Sequence, residues 1–265
     1  MKVPKELLPD NLIFLGYRGS VAHNMYIPNT DPNSVDDVDI MGVYLAPPAY
    51  YIGLSEGKRT IERMREVDGL LWDCVFYEFR HFIKLLLKGN PNVLSMLWLE
   101  KQHILQSSHT WDQLIKHRKA FVGRHVKHSF AGYAASQLAR MESYNKKGYM
   151  EEKRKALVDK YGYDTKNAAH LLRLLQMCYE FLKTGKLEVF RTDAKTFLEV
   201  KTGKWTINKV KFSAEDLFDL VNERYESSKL PEKPNQEMTE HILIATLRKH
   251  ILAETYNYEN IYISN

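Results

Sequence analysis

The sequence predicts an α+β protein, with a small mixed β-sheet in residues 1–108 followed by a mostly α-helical region in residues 109–265. Up to about Tyr77 the apolar residues come in short runs or alternations bounded by glycine and proline, which is the pattern of strands. Beyond it they recur every three or four residues, the pattern of helices with one buried face. The 265 residues are 44% hydrophobic, enough to fill a core.

The elements follow in order. NLIFLG, residues 11–16, is a buried strand, and GYRGS after it is a tight turn. Between Ile27 and Asp36 lie Pro28, Asn29, Asp31, Pro32, Asn33 and Ser34, a loop by composition. A second strand runs from about Asp37 to Leu45 and is stopped by Pro47 and Pro48. Residues 58–67 alternate weakly, and GLLWDCVFY from Gly69 is a further strand. From Tyr77 the period becomes helical through Phe79, Phe82, Ile83 and Leu86, with Gly89 at the end. Asn90 and Pro91 suit the N-cap and first residue of the next helix. Helical spacing continues through Trp111, Leu114 and Ile115, then from Val126 to Met141. Asp164 caps a helix that ends at Gly185. Ser213, with Asp216 three residues on, predicts another helix start, and LPEKPNQ from Leu230 is a turn before the last helix. A cleft between the sheet and the helices is the natural place for a site.

Charge and cysteine usage narrow the class. The 38 Lys and Arg against 33 Asp and Glu give a net charge of +5, compatible with phosphate-bearing partners. Cys74 and Cys178 are the only cysteines, which excludes a disulfide framework or a cysteine zinc site and fits a reducing, cytoplasmic setting. MKVPKELLPDN lacks the apolar stretch of a signal peptide, and no run of about 18 apolar residues suggests a membrane span.

The chemistry centres on the acids. On a strand, residues two apart share a face, so Asp37 and Asp39 present paired carboxylates while Val38 packs behind them. Such a pair suits a hard divalent cation, Mg²⁺ or Mn²⁺, and a third carboxylate on an adjacent strand would let two ions share the site. Asp73, inside LLWDCVF where a charge is costly without a partner, is the first choice, and Glu78 is the reserve. Gly19 and Ser20, following a strand, can aim backbone N–H groups and a hydroxyl at a phosphate.

The Gly-Ser turn, the strand bearing Asp-x-Asp and the later carboxylate together resemble the nucleotidyltransferases of the DNA polymerase beta superfamily. GSVAHNMY, DDVDIMGVYLAPPAYYIGL, FRHFIKLLLKGNPNVLSMLW, FAGYAASQLARM and DTKNAAHLLRLLQMCYEFLKTGKL resemble more closely its RNA-ligase-associated branch in bacteria and phages. The resemblance implies a metal-bound nucleotide, with Asp37, Asp39 and Asp73 as ligands and Gly19 and Ser20 against the phosphates. Asn24 departs from the glycine many relatives carry, but asparagine also tolerates left-handed backbone.

Lys166, His170 and Arg173, spaced i, i+4, i+7, line one face of the Asp164 helix and are candidate nucleotide-binding residues. Lys88, Asn90 and Asn92 sit at a helix corner, and Tyr133 and Gln137 fit helix packing. His103, His109, His117, His125 and His128 have no metal-ligand spacing. Lys153, Arg154, Lys155 and Lys160, interleaved with Tyr161 and Tyr163, suit an RNA acceptor. The expected activity is transfer of a nucleoside monophosphate from a triphosphate to an acceptor, RNA among the candidates, with release of pyrophosphate. The alternatives are a non-catalytic nucleotide- or RNA-binding module, and transfer to a small molecule or a protein.

Overall fold

The computed structural model of the chain describes residues 3–28, 30, 31, 34, 36–142 and 152–262. The first half carries β1 (Leu12–Tyr17), α1 (Gly19–Ala22), β2 (Val38–Tyr44), α2 (Pro48–Ile52), β3 (Thr60–Val67), β4 (Leu70–Glu78), α3 (Phe79–Leu87), α4 (Pro91–Ser95) and β5 (Ile104–Ser107). The second half carries α5 (His109–Lys116), α6 (Val126–Glu142), α7 (Glu152–Tyr161), α8 (Thr165–Thr184), α9 (Ala194–Lys201), α10 (Ile207–Ser227) and α11 (Gln236–Tyr262). The strands form one mixed sheet in the order β3-β4-β2-β1-β5. β2 and β4 are parallel, and the other neighbours are antiparallel.

Alternation along β2 and β4 divides the core. Val38, Ile40, Tyr44, Trp72, Cys74 and Phe76 pack with Leu15 and Tyr17 on one face, closed by Val3 and Leu7. Met41, Val43 and Val75 face the other way, toward Phe79, Phe82 and Trp111, and this core continues into α6, α8, α9 and α10. Phe14 of β1 stacks on Trp111 of α5 with ring centroids 3.8 Å apart. Asp39, two residues before Met41 and four before Val43, shares their face of β2 and so lies on the helix-covered side.

Several boundaries differ from the sequence reading. β4 runs on to Glu78, and α3 starts at Phe79 because the Glu78 carboxylate accepts from Arg80 N and His81 N as its N-cap. α10 starts at Ile207, where the Thr206 side chain accepts from Lys209 N, so Ser213 lies inside the helix. The apolar face there already begins at Val210, ahead of Ala214 and Val221. β5, of four residues, and α2, which begins at Pro48, were not foreseen. Asn90 caps α4 through Asn92 N and Val93 N. Asp164 caps α8, and Gly185 ends it at φ +70°; both agree with the sequence. Among the described residues no helix is long and apolar enough to cross a membrane.

Candidate active site

The parallel register of β2 and β4 sets Asp39 opposite Asp73. Arg18, the residue after β1, stands between them. Its Nη2 lies 2.8 Å from Asp73 Oδ2 and 3.4 Å from Asp39 Oδ1. Its backbone N–H donates to Asp39 O at 3.0 Å and its Nε to Ile40 O at 3.3 Å, so the guanidinium is anchored at the edge of the strand. Asp37, just before β2, has its Oδ2 3.9 Å from Lys166 Nζ of α8. Burial pushes the Asp39 carboxyl up to about 6; Arg18 and Lys166 pull it down, while Asp73 and Asp37 push it further up.

The turn after β1 is fitted to these acids. Gly19 has φ +59°, and a Cβ there would collide with the Asp39 carboxylate, so only glycine lets the chain pass this close. Ser20 Oγ is buried with no hydrogen-bond partner. Asn24 sits at φ +58°, the left-handed geometry expected of it, and its Nδ2 donates to Arg191 O at 3.2 Å. The neighbouring His23 is buried, with Nδ1 2.8 Å from Val189 O and Nε2 2.6 Å from Arg173 Nη1.

The stripe on α8 faces the acids. Lys166, His170 and Arg173 line the same cavity of about 340 Å³ as Asp37, Asp39 and Asp73. Gly19 and Ser20 border it as well, so all eight residues singled out from sequence meet there. Arg173 is only 5% exposed, and among the described residues its other polar contact is Nη1 to Met177 Sδ at 3.1 Å. Among the described residues no acid lies within ion-pair distance of it. Burial, with Arg191 nearby, brings its pKa down to about 9, while Asp39 pulls the other way. A buried cation without its own anion, opening onto a cavity, is suited to receive one.

Five further residues stand at the cavity; of these the sequence offers Asn92 as a helix-corner candidate and Asp36 as part of the acidic run, and singles out none of Arg18, Arg140 and Lys201. Arg18, Asn92 and Arg140 also line the cavity. Asp36 is fully buried and forms an ion pair with Lys201 of α9, whose Nζ also donates to Met25 O at 2.9 Å. Asp36 Oδ2 further accepts from Ile27 N at 2.8 Å, which fastens the loop that delivers Asp37. A basic residue directly before a Gly-Ser turn was a readable signal for Arg18. Lys201 carried none, being 165 residues from its partner.

Other expectations are redirected. Glu78 is buried at the far end of β4 and is occupied by the α3 cap and by Tyr51 OH at 2.7 Å, so it is not among the cavity acids. Tyr163 is buried and donates to Trp205 O at 2.6 Å, so its ring is not available to stack on a base. The side chains of Lys153 and Arg154 lie outside the described residues. Tyr133 OH accepts from Asn90 Nδ2 at 2.8 Å, and Gln137 is buried, in keeping with packing roles.

As the side chains stand, no three His, Cys, Asp or Glu groups among the described residues converge closely enough to hold an ion; Arg18 and Lys166 supply the compensating charge. The donor chemistry nonetheless fits a hard divalent cation. Asp37, Asp39 and Asp73 border one cavity with Asp36 beside them, and Asp39 is driven toward neutrality by burial and by its acidic neighbours.

The model of the RNA repair pathway DNA polymerase beta family (RlaP) matches residues 9–242. The chain belongs to that family. Membership in the RlaP family accords with the α+β architecture and points to a nucleotidyltransferase-type enzyme. A nucleotidyltransferase-like protein from Exiguobacterium sibiricum, known from a crystal structure, aligns over 92% of this chain and 70% of its own. The identity is 12% and the TM-score 0.31, too loose a likeness to carry argument. No curated protein matches the chain.

Proposed function

We propose that this protein transfers a nucleoside monophosphate from a nucleoside triphosphate to an acceptor, releasing pyrophosphate, with RNA as the first acceptor to test. The observation that carries the reading is the cavity itself. Asp37, Asp39 and Asp73 border it on the sheet side, and α8 brings Lys166, His170 and Arg173, which meets no acid among the described residues, to the other. Acids in that number beside a buried cation that meets no acid among the described residues suit a ligand that brings metal and phosphate together.

In this reading Asp37, Asp39 and Asp73 would hold Mg²⁺ or Mn²⁺. When bound, the metal lowers the pKa of the attacking hydroxyl and offsets charge on the departing pyrophosphate. Gly19 lets the backbone approach the phosphates, and Ser20 Oγ donates to one of their oxygens. Arg173 would offset charge on the triphosphate, in a site where burial strengthens the interaction. Lys166, now shared between Asp36 and Asp37, and His170 flank the leaving group. Cys74 and Cys178, both buried and outside any disulfide, suit a cytoplasmic compartment.

The test is incubation with each α-labelled nucleoside triphosphate, Mg²⁺ or Mn²⁺, and single-stranded RNA. Label on the RNA that depends on metal and disappears in Asp39→Asn supports the full reading. Label on the protein, or on a small acceptor added in place of RNA, keeps nucleotidyl transfer and replaces the acceptor. No metal-dependent label, and no triphosphate binding, overturns it in favour of a module without turnover.

A further inference from the structure

The phosphate-side turn and the buried cation of α8 are joined through one imidazole. His23, the residue after α1, is 4% exposed, and its two ring nitrogens have different partners. Nδ1 lies 2.8 Å from Val189 O, and a carbonyl can only accept, so Nδ1 carries the proton. Nε2 lies 2.6 Å from Arg173 Nη1, and a guanidinium can only donate, so Nε2 must present its lone pair. Both bonds are satisfied by a single state of the ring, neutral with the proton on Nδ1. Val189 is held in turn, because Asn24 donates to Arg191 O while Arg191 is fixed to Glu180 and Asp193. The chain between α8 and α9 is thus tied to the turn that carries Gly19 and Ser20.

Among the described residues no acid orients Arg173, and its thioether contact with Met177 is weak. We propose that His23 is a positioning residue, whose Val189-fixed tautomer holds the Arg173 guanidinium at the angle that receives the triphosphate of the substrate. This rests on the nucleotide-transfer reading above and adds the device that preorganises its phosphate site. A group that accepts without bearing charge suits this task. A carboxylate in the same place would neutralise Arg173 and compete with the phosphates, whereas an apolar group would let the guanidinium turn.

The experiment compares wild type, His23→Leu and His23→Gln for binding of inorganic triphosphate with Mg²⁺ by calorimetry, and for KM and kcat in the transfer assay. The Gln amide can accept from Arg173 and donate to Val189, and Leu can do neither. Expected are a roughly ten-fold or larger loss of triphosphate affinity and a matching rise in nucleotide KM for His23→Leu, with kcat within a few-fold. His23→Gln should stay within about three-fold of wild type. A purely structural role would lower thermal stability and leave the affinity of the folded fraction unchanged, and that result overturns the proposal. If His23→Leu does not fold, a ten-fold loss in His23→Gln overturns it and retention supports it. Nitrogen-resolved NMR of the wild-type ring is an independent measurement: a neutral ring protonated on Nδ1 supports the assignment, and a charged or Nε2-protonated ring overturns it. Wild-type protein that binds no triphosphate would instead sink the nucleotide-transfer reading, so the two failures are distinguishable.

Discussion

Asp39→Asn is expected to abolish transfer and yet stabilise the metal-free protein at pH 8. The Asp39 side chain is 20% exposed and its carboxyl sits at about 6 in place of the ordinary 3.8, first through burial and then through Asp73 and Asp37, against the pull of Arg18 and Lys166. A raised carboxyl pKa means that the folded state favours the protonated form. The charged form therefore costs stability above about pH 6, and the cost fades as pH falls toward the unfolded value near 4. A shift of about two units corresponds to about 3 kcal/mol. Asparagine keeps the shape and removes the charge; the Arg18 attraction is already contained in the raised pKa, and because the amide reproduces a neutral carboxyl only in part the net gain is about 1–2 kcal/mol. For a chain of this size that is about 3–6 °C in Tm. Calorimetric unfolding in EDTA at pH 8 and pH 5 reads it directly: the variant should melt higher at pH 8, and the gap should largely close at pH 5. With Mg²⁺ and nucleotide the order should reverse, since only the wild type gains ligand stabilisation. A variant that melts below wild type at pH 8 in EDTA, or a gap indifferent to pH, refutes the claim that Asp39 carries undercompensated charge.

Asp73→Asn should lower the transfer rate by about a hundred-fold or more in single-turnover kinetics. Glu78→Gln should leave that rate near wild type and cost about 1–2 kcal/mol in urea unfolding through the α3 cap. Lys201→Met leaves Asp36 buried without its cation, so a loss of about 3–5 kcal/mol is expected in the same unfolding assay, partly restored by adding Asp36→Asn. Gly19→Ala places a side chain at φ +59° against the Asp39 carboxylate; transfer should be lost and stability should fall by about 1–3 kcal/mol, read by kinetics and melting together. If RNA is the acceptor, its affinity measured by fluorescence anisotropy should fall with salt at a slope of about −0.7 per phosphate contact on a log-log plot.

What could be read from the sequence was what depends on spacing. The two-residue repeat of a strand pairs Asp37 with Asp39, and both border the cavity although Asp37 lies just before β2, while Lys166, His170 and Arg173 share a face because helices repeat every 3.6. Asp164 and Gly185 mark the ends of α8 by capping chemistry that acts over a few residues. What could not be read depends on closure in three dimensions. Lys201 meets Asp36, and Val189 meets His23, across some 165 residues with no pattern to announce either pairing. Tyr163 misled because an aromatic among lysines reads as surface, whereas its hydroxyl finds Trp205 O inside. Ser213 misled for the opposite reason: its spacing to Asp216 mimics a cap, but the apolar face begins a turn earlier.

The cations of the cavity fall into distinct roles, and this bears on what the site can accept. Arg18 and Lys166 are engaged by Asp37, Asp39 and Asp73, and Lys201 by Asp36. Arg173 is buried with no acid among the described residues to meet it. A bare triphosphate could satisfy Arg173 but would meet Asp37, Asp39 and Asp73 across a cavity of about 340 Å³. A divalent ion alone could relieve the carboxylates but would leave Arg173 without an anion and set Arg18 and Lys166 against a second positive centre. A ligand that delivers both charges at once would answer both sides, and the metal-complexed triphosphate of the proposed reading has that composition. His23 fits the same logic, because it orients Arg173 without neutralising it and so leaves the guanidinium's charge available for the phosphates.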